Sequence, residues 1–489
     1  MSSKSVKKNY LYNVTYQILT MLAPLITTPY VSRVLGAENI GTYSYSASIV
    51  SYFTLFASLG TASYGAREIA YTQDDRKKRT TIFWNTEILS CISTLICIVI
   101  YLAISMLFRD YHIIYFIFLM NIVSVAFDIS WVFQGMEEFG FIVSRNIIFK
   151  ILNIAFIFGF VKNRNDLVLY TVGMTLIPLI STFTLWPFLS KMIDKPSYKS
   201  IHPFSDIKTV CSMFIPTIAI SVYAVLDKTM IGLYTDTRIE NGYYEQATKL
   251  SKTALTLVTS LGTVMIPRIG FYYKKNDIDS VRHYMYRSYR FVWLLGIPLC
   301  LGLISISSNL VPWFYGQDFL EVSKLLNVLS FLILAIGINN VTGMQYLMPT
   351  GRQNTFTFTV VIGALVNFVL NNILIPKCYS IGAAISSVVA ETIIAIIQLI
   401  IVREEINPVS IIYCSFKYWI AGIGMFFSLY YIEKYLHSSI INTVVMICVG
   451  VLFYAAILLI LKDSFFLNQI KSVLVKIKRK FDNRFRRRE

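Results

Sequence analysis

Charge is what this sequence has least of. Asp, Glu, Lys and Arg make up 15% of its 489 residues, against roughly 25% in ordinary soluble domains. Together with 55% apolar residues and a mean hydropathy of +0.60, that shortage excludes a string of water-soluble domains. No Gly-x-x-x-x-Gly-Lys-Ser/Thr phosphate loop occurs, which argues against ATP hydrolysis by this chain. There is no nucleophile elbow and no paired-histidine motif, so no catalytic residues are assigned. The seven cysteines form no C-x-x-C pair and the four histidines are scattered. The cysteines read as small apolar residues, and neither a metal nor a cofactor is expected.

What the chain does have is apolar runs of span length, repeated almost end to end. They fall near 10–34, 41–64, 82–108, 112–134, 141–161, 167–190, 209–234, 242–267, 290–314, 323–347, 355–375, 381–402, 412–433 and 440–461, numbered here as spans 1 to 14. The fold class is therefore an all-α polytopic membrane protein with about fourteen transmembrane helices. Lys4, Lys7 and Lys8 precede the first run, but no small-residue cleavage pattern follows, so it reads as a retained span. The net charge of +17 does not indicate nucleic acid, because most Lys and Arg sit in short connections and tails on one side. That asymmetry is expected to place both termini of a multi-pass chain in the cytoplasm. The longest connections (67–81, 191–208 and 268–290) are all on that side. None on the outer side is long enough to fold into a domain, which counts against an enzyme acting on extracytoplasmic polymers.

An internal repeat is readable. Ser58-Leu59-Gly60-Thr61 recurs as Ser260-Leu261-Gly262-Thr263; Gly41 matches Gly242, Arg67 matches Arg268 and Gly36 matches Gly232, all in the same order. Six spans per copy give repeats of equal orientation, hence a pseudo-twofold axis along the membrane normal. The expected division is an N-lobe of spans 1–6 (1–203), a C-lobe of spans 7–12 (204–405), an appended pair of helices 13–14 (406–461) and a basic cytoplasmic tail (462–489). In the tail, Ile470, Val473, Leu474, Ile477 and Phe481 recur at helical spacing among ten Lys or Arg. It reads as an amphipathic helix on anionic membrane lipids or as a solvated basic tail.

Charged groups inside a span are costly and usually mark a pathway or a partner. Span 7 carries Asp227 and Lys228; span 8 carries Glu245, Lys249 and Lys252, which share a helix face. Asp227, Lys228 and Lys249 all lie roughly 10 Å below the outer surface. These groups read either as a cationic lining for an anion or as one ion pair with a lysine reaching to the interface. Span 4 places Asp128 and Trp131 on one face, span 5 opens with Arg145, Asn146 and Lys150, and span 12 holds Glu391. Asp227, Asp128, Glu245 and Glu391 are the candidates for coupling a proton or sodium ion. The amides Asn339, Asn340, Asn367 and Asn371 read mainly as interhelical hydrogen-bond partners. Tyr43 and Tyr45 match Tyr243 and Tyr244 in the second half, as interfacial rings or as stacking surfaces for sugars.

These residues resemble a known family. Pro29-Tyr30-Val31-Ser32-Arg33-Val34-Leu35-Gly36, Trp131-Val132-Phe133-Gln134-Gly135-Met136-Glu137, Leu226-Asp227-Lys228-Thr229-Met230-Ile231-Gly232 and Ile381-Gly382-Ala383-Ala384 occur in the order seen in Wzx-type polysaccharide repeat-unit flippases. That branch belongs to the multidrug/oligosaccharidyl-lipid/polysaccharide exporter superfamily. The resemblance runs from about residue 9 to 405. It implies two six-helix lobes around a central cavity and an undecaprenyl-pyrophosphate-linked oligosaccharide as substrate. Lys228, Lys249 and Lys252 then serve the anionic head group, with Arg33 and Arg145 at the ends of the route and Tyr43, Tyr243 and Tyr244 toward sugar. Glycosyltransferases or a polymerase of the same pathway are the expected protein partners. Span 2 has no intramembrane cation to match Lys249, which makes the expected lining asymmetric. A cation-coupled multidrug exporter of the same fold and a membrane polysaccharide polymerase or ligase are the rival readings.

Overall fold

The computed structural model describes residues 6–106, 111–195 and 201–471, and among these residues every regular element is a helix. Ten helices among the described residues are long and apolar enough to cross a membrane. One of them, Gln353–Ile401, contains spans 11 and 12, separated only by Tyr379 in the left-handed region (φ 49°). Helix Val6–Ser58 likewise contains spans 1 and 2, broken at Gly36 (φ 77°), where a side chain would be strained. With Ile207–Tyr234 as span 7, the described residues of all fourteen sequence-derived spans fall mainly on helical backbone. Val473, Leu474, Ile477 and Phe481 of the basic tail lie outside the described residues.

The repeat is visible in local structure. Helix Val6–Ser58 breaks at Leu59-Gly60, and helix Ile239–Thr259 breaks at Ser260-Leu261, one position earlier within the repeated Ser-Leu-Gly-Thr segment. Two connections are shorter than the hydropathy pattern suggests. Helices Thr61–Tyr71 and Arg76–Ser105 leave only residues 72–75 between spans 2 and 3, and helices Gly262–Lys274 and Ile278–Phe314 leave only 275–277 between spans 8 and 9. The reason is that helix hydrogen bonding continues past the apolar segment through polar residues, which hydropathy alone reads as loop.

The chain divides into two compact units: residues 1–246 with 371–380, and residues 247–370 with 381–489. In the first unit, Tyr101, Tyr115, Phe118 and Ile122 form a core between spans 2, 3 and 4. A second cluster joins Phe83, Trp131 and Leu185, with Trp131 stacked on Phe83 at 5.6 Å. In the second unit, spans 13 and 14 pack against span 9. A Cβ on Gly422 would lie 2.5 Å from Ile297, so the small residue is what lets the helices approach. Thr443 fixes the depth of the contact: it accepts from Trp313 Nε1 at 2.7 Å and donates to Asn309 Oδ1 at 2.7 Å. Span 10 ends in a π-helical stretch, Asn340–Leu347.

Candidate functional site

In the first unit, the opening turns of spans 2 and 8 meet backbone to backbone. A Cβ on Gly41 would fall 1.6 Å from the Arg238 carbonyl oxygen, and one on Gly242 would fall 2.1 Å from that of Ala37. Glycine at both places permits this approach, and the two residues are the pair matched by the internal repeat. Beside the contact, Tyr45 lies over Gly232, whose added Cβ would reach within 2.0 Å of the ring. The guanidinium of Arg238 covers that ring at 4.2 Å and donates to the Gly232 carbonyl.

That close packing carries charged side chains with it. Lys228 Nζ lies 2.6 Å from Glu245 Oε2, with the two side chains 22% and 12% exposed. The same carboxylate oxygen accepts from the Ser44 hydroxyl at 2.7 Å. Asp227 is held by a different set: Asn371 Nδ2 donates to one oxygen at 2.8 Å and the Tyr244 hydroxyl donates to the other. Asn241 donates to the Lys228 carbonyl at 2.6 Å. A further polar seam, Tyr52–Thr229–Ser48 (3.1 and 3.0 Å), links spans 2 and 7. Lys228 therefore enters the site as half of an ion pair, and its charge is balanced within the unit.

The other sequence candidates are distributed as follows. Arg145, only 12% exposed, lies 3.8 Å from Asp128, which joins a proposed anion contact to a proposed coupling acid. Asp128 also accepts from the Ser130 amide at 3.0 Å, where the helix of span 4 is interrupted. Tyr43 packs against Phe118 (5.3 Å) and Tyr170 (5.0 Å), so its ring belongs to an aromatic cluster. Arg33 is exposed and Tyr243 partly buried. In the second unit, Lys249 is partly buried and Lys252 exposed on one helix. Glu391 accepts from Asn339 Nδ2 at 2.5 Å. Among the described residues no cluster of three or more His, Cys, Asp or Glu could hold a metal ion.

One buried acid escaped the sequence reading. Glu87, in the second turn of span 3, is 4% exposed, and its Oε1 is buried without a hydrogen-bond partner. A lone carboxyl in so apolar a helix was the available signal. Arg238 was also missed, because a short polar connection between spans 7 and 8 (235–241) gives no hint that its arginine turns back onto Tyr45.

Charged side chains buried among apolar spans mark a functional site in a helical membrane protein, and solved structures carry the same fold. The chain matches "Lipid II flippase MurJ, inward closed conformation" with a TM-score of 0.73 at 16% identity, over 94% of this chain and 100% of that one. It matches an inward-facing multidrug resistance MATE family transporter of the MOP superfamily with a TM-score of 0.61 at 13% identity, over 81% and 95%. The chain belongs to the polysaccharide biosynthesis protein family, whose sequence pattern matches residues 6–272. A protein of Escherichia coli (strain K12), provisionally named an O-antigen transporter, is 23% identical over 406 residues, 82% of this chain and 97% of that protein. The resemblance to Wzx-type members of the MOP superfamily thus stands on more than short motifs, and the chain is a multi-pass membrane transporter rather than an enzyme.

Proposed function

We propose that this protein is a flippase that moves undecaprenyl-pyrophosphate-linked oligosaccharide repeat units across the bacterial cytoplasmic membrane by alternating access. The product feeds capsule, O-antigen or exopolysaccharide synthesis, with glycosyltransferases or a polymerase of the same pathway as neighbours. Spans 1–6 and 7–12 act as the two lobes (1–203 and 204–405), with helices 13–14 appended and both termini cytoplasmic. The observation that carries the reading is the buried charge on spans 7 and 8 in a chain of this family. A pyrophosphate is attracted to cations more strongly in a low-dielectric site than in water. Lys249, Lys252 and Lys228, the last in its ion pair with Glu245, are the cations assigned to the head group. Arg145 serves the inner end of the route and Arg33 the outer. Asp227, Glu245, Asp128 and Glu391 are the carboxylates through which a proton or sodium gradient is coupled.

Lys249→Ala tests the assignment in cells. Surface polysaccharide should fall at least about tenfold, the equivalent of one charge-assisted contact, at an unchanged level of protein in the membrane. Undiminished polysaccharide at equal protein level removes Lys249 from the binding role.

A further inference from the structure

The second unit contains a recess that none of the transport residues uses. Helix Ile278–Phe314 runs for 37 residues, about 55 Å at 1.5 Å per residue, whereas the hydrocarbon core of a membrane is about 30 Å thick. Its first turns therefore stand outside the apolar layer. They carry His283, Arg287 and Arg290, spaced four and three residues apart and so on one helix face. Facing them are Cys414 on span 13 and Ser464 and Asn468 on the short helix 464–471 that follows span 14. Together these residues bound a recess of about 460 Å³. Arg290 reaches the Cys414 sulfur at 3.7 Å.

The recess is positive. Among the described residues no carboxylate lines it, and two acids of the second unit are engaged with other partners. Asp463 caps the short helix through the Phe466 amide at 2.8 Å and accepts from Tyr418 at 3.1 Å. Glu405 is bound by Arg352 and by Tyr346 at 2.8 Å. Beyond Lys471 the sequence adds eight Lys or Arg against two acids. The turns of span 13 that supply Cys414 also leave Ile412, Tyr413 and Phe416 exposed by 62%, 82% and 65%. Cations at the edge of the apolar layer, beside a bare apolar helix face, match an amphiphile with an anionic head. A free anion would use only the cations.

We propose that this recess binds the phosphate head group of an anionic phospholipid, with its acyl chains along the exposed face of span 13. Basic pockets between membrane helices are suited to such head groups. Binding here is independent of what the protein carries, so its test does not stand or fall with the transport reading.

The full-length protein would be purified, exchanged into mixed micelles containing phosphatidylglycerol or phosphatidylcholine, and its retained lipid measured by native mass spectrometry. Wild type should prefer phosphatidylglycerol, and Arg287→Ala with Arg290→Ala should reduce that preference by about thirtyfold, two interfacial cations' worth. Arg287→Lys with Arg290→Lys keeps the charge and should keep the preference within about threefold, which separates loss of the site from loss of the fold. Equal retention of the two lipids by wild type, or an undiminished preference in the alanine variant, overturns the proposal. Displacement by inorganic phosphate at the concentration at which phosphatidylglycerol displaces also overturns it, because the site would then recognise a free anion.

Discussion

Lys228→Met should lower the stability of the purified protein by about 3 kcal/mol, and adding Glu245→Gln in the same chain should restore most of that loss. The expectation follows from the partners. Lys228 and Glu245 lie 2.6 Å apart with side chains 22% and 12% exposed, so each charge has given up most of its hydration for the other. Removing the lysine alone takes the cation from a carboxylate that also accepts from the Ser44 hydroxyl, and a neutral hydroxyl does not replace that charge. Removing both charges eliminates that penalty, since a buried pair often contributes little against a neutral pair of similar shape. The partial exposure argues for the lower end of the measured range for broken buried pairs. Thermal unfolding of the detergent-solubilised single and double variants reads the effect. A single variant as stable as wild type would mean that the pair is solvated. The double variant also separates stability from transport: it should fold and still export poorly, because Glu245 is a coupling carboxylate in the proposed function.

Gly41→Val should prevent accumulation of the folded protein, with membrane levels below about a tenth of wild type. Overpacking a core usually costs about 1–3 kcal/mol because side chains can shift. Here the obstruction is main chain: the new Cβ would lie 1.6 Å from the Arg238 carbonyl oxygen and 2.9 Å from the Gly242 nitrogen. Spans 2 and 8 would have to separate, and that movement would also disturb the Ser44–Glu245 contact three residues along. Gly242→Val should act alike, since its Cβ would meet the Ala37 carbonyl at 2.1 Å. Gly159→Ala is the control, because nothing lies within 4 Å of a Cβ there. Alanine is the better helix former, so this variant should accumulate normally. Immunoblots of membrane fractions decide it, and a well-expressed Gly41→Val protein would refute the backbone contact.

Much of the architecture was legible because apolar length is a property of sequence alone. The fourteen spans fell mainly on helices for that reason, and the Ser-Leu-Gly-Thr repeat marked two helix breaks. The buried charges were legible as residues and less so in their pairings. Asp227, Lys228 and Glu245 stood out because charge is rare in spans. Whether Lys228 meets Glu245 or stays a spare cation depends on helix rotation and packing, which periodicity does not fix. Tyr43 shows the same limit: its matching with Tyr243 suggested a surface ring, yet its neighbours are Phe118 and Tyr170. Gly41 and Gly242 were noticed as a repeat, but nothing in their spacing said that they touch. The early start of helix Ile278–Phe314 was hidden because polar residues continue a helix as readily as they form a loop.

The most direct test of the central claim is movement of substrate by the protein alone. Purified protein in liposomes would be given a fluorescent undecaprenyl-pyrophosphate-linked oligosaccharide in one leaflet, and its arrival in the other followed by quenching, with the recovered lipid weighed by mass spectrometry. The account predicts protein-dependent transfer, weakened by Lys249→Ala, of a molecule whose mass is unchanged. No transfer, transfer of organic cations instead, or a product of altered mass would contradict it.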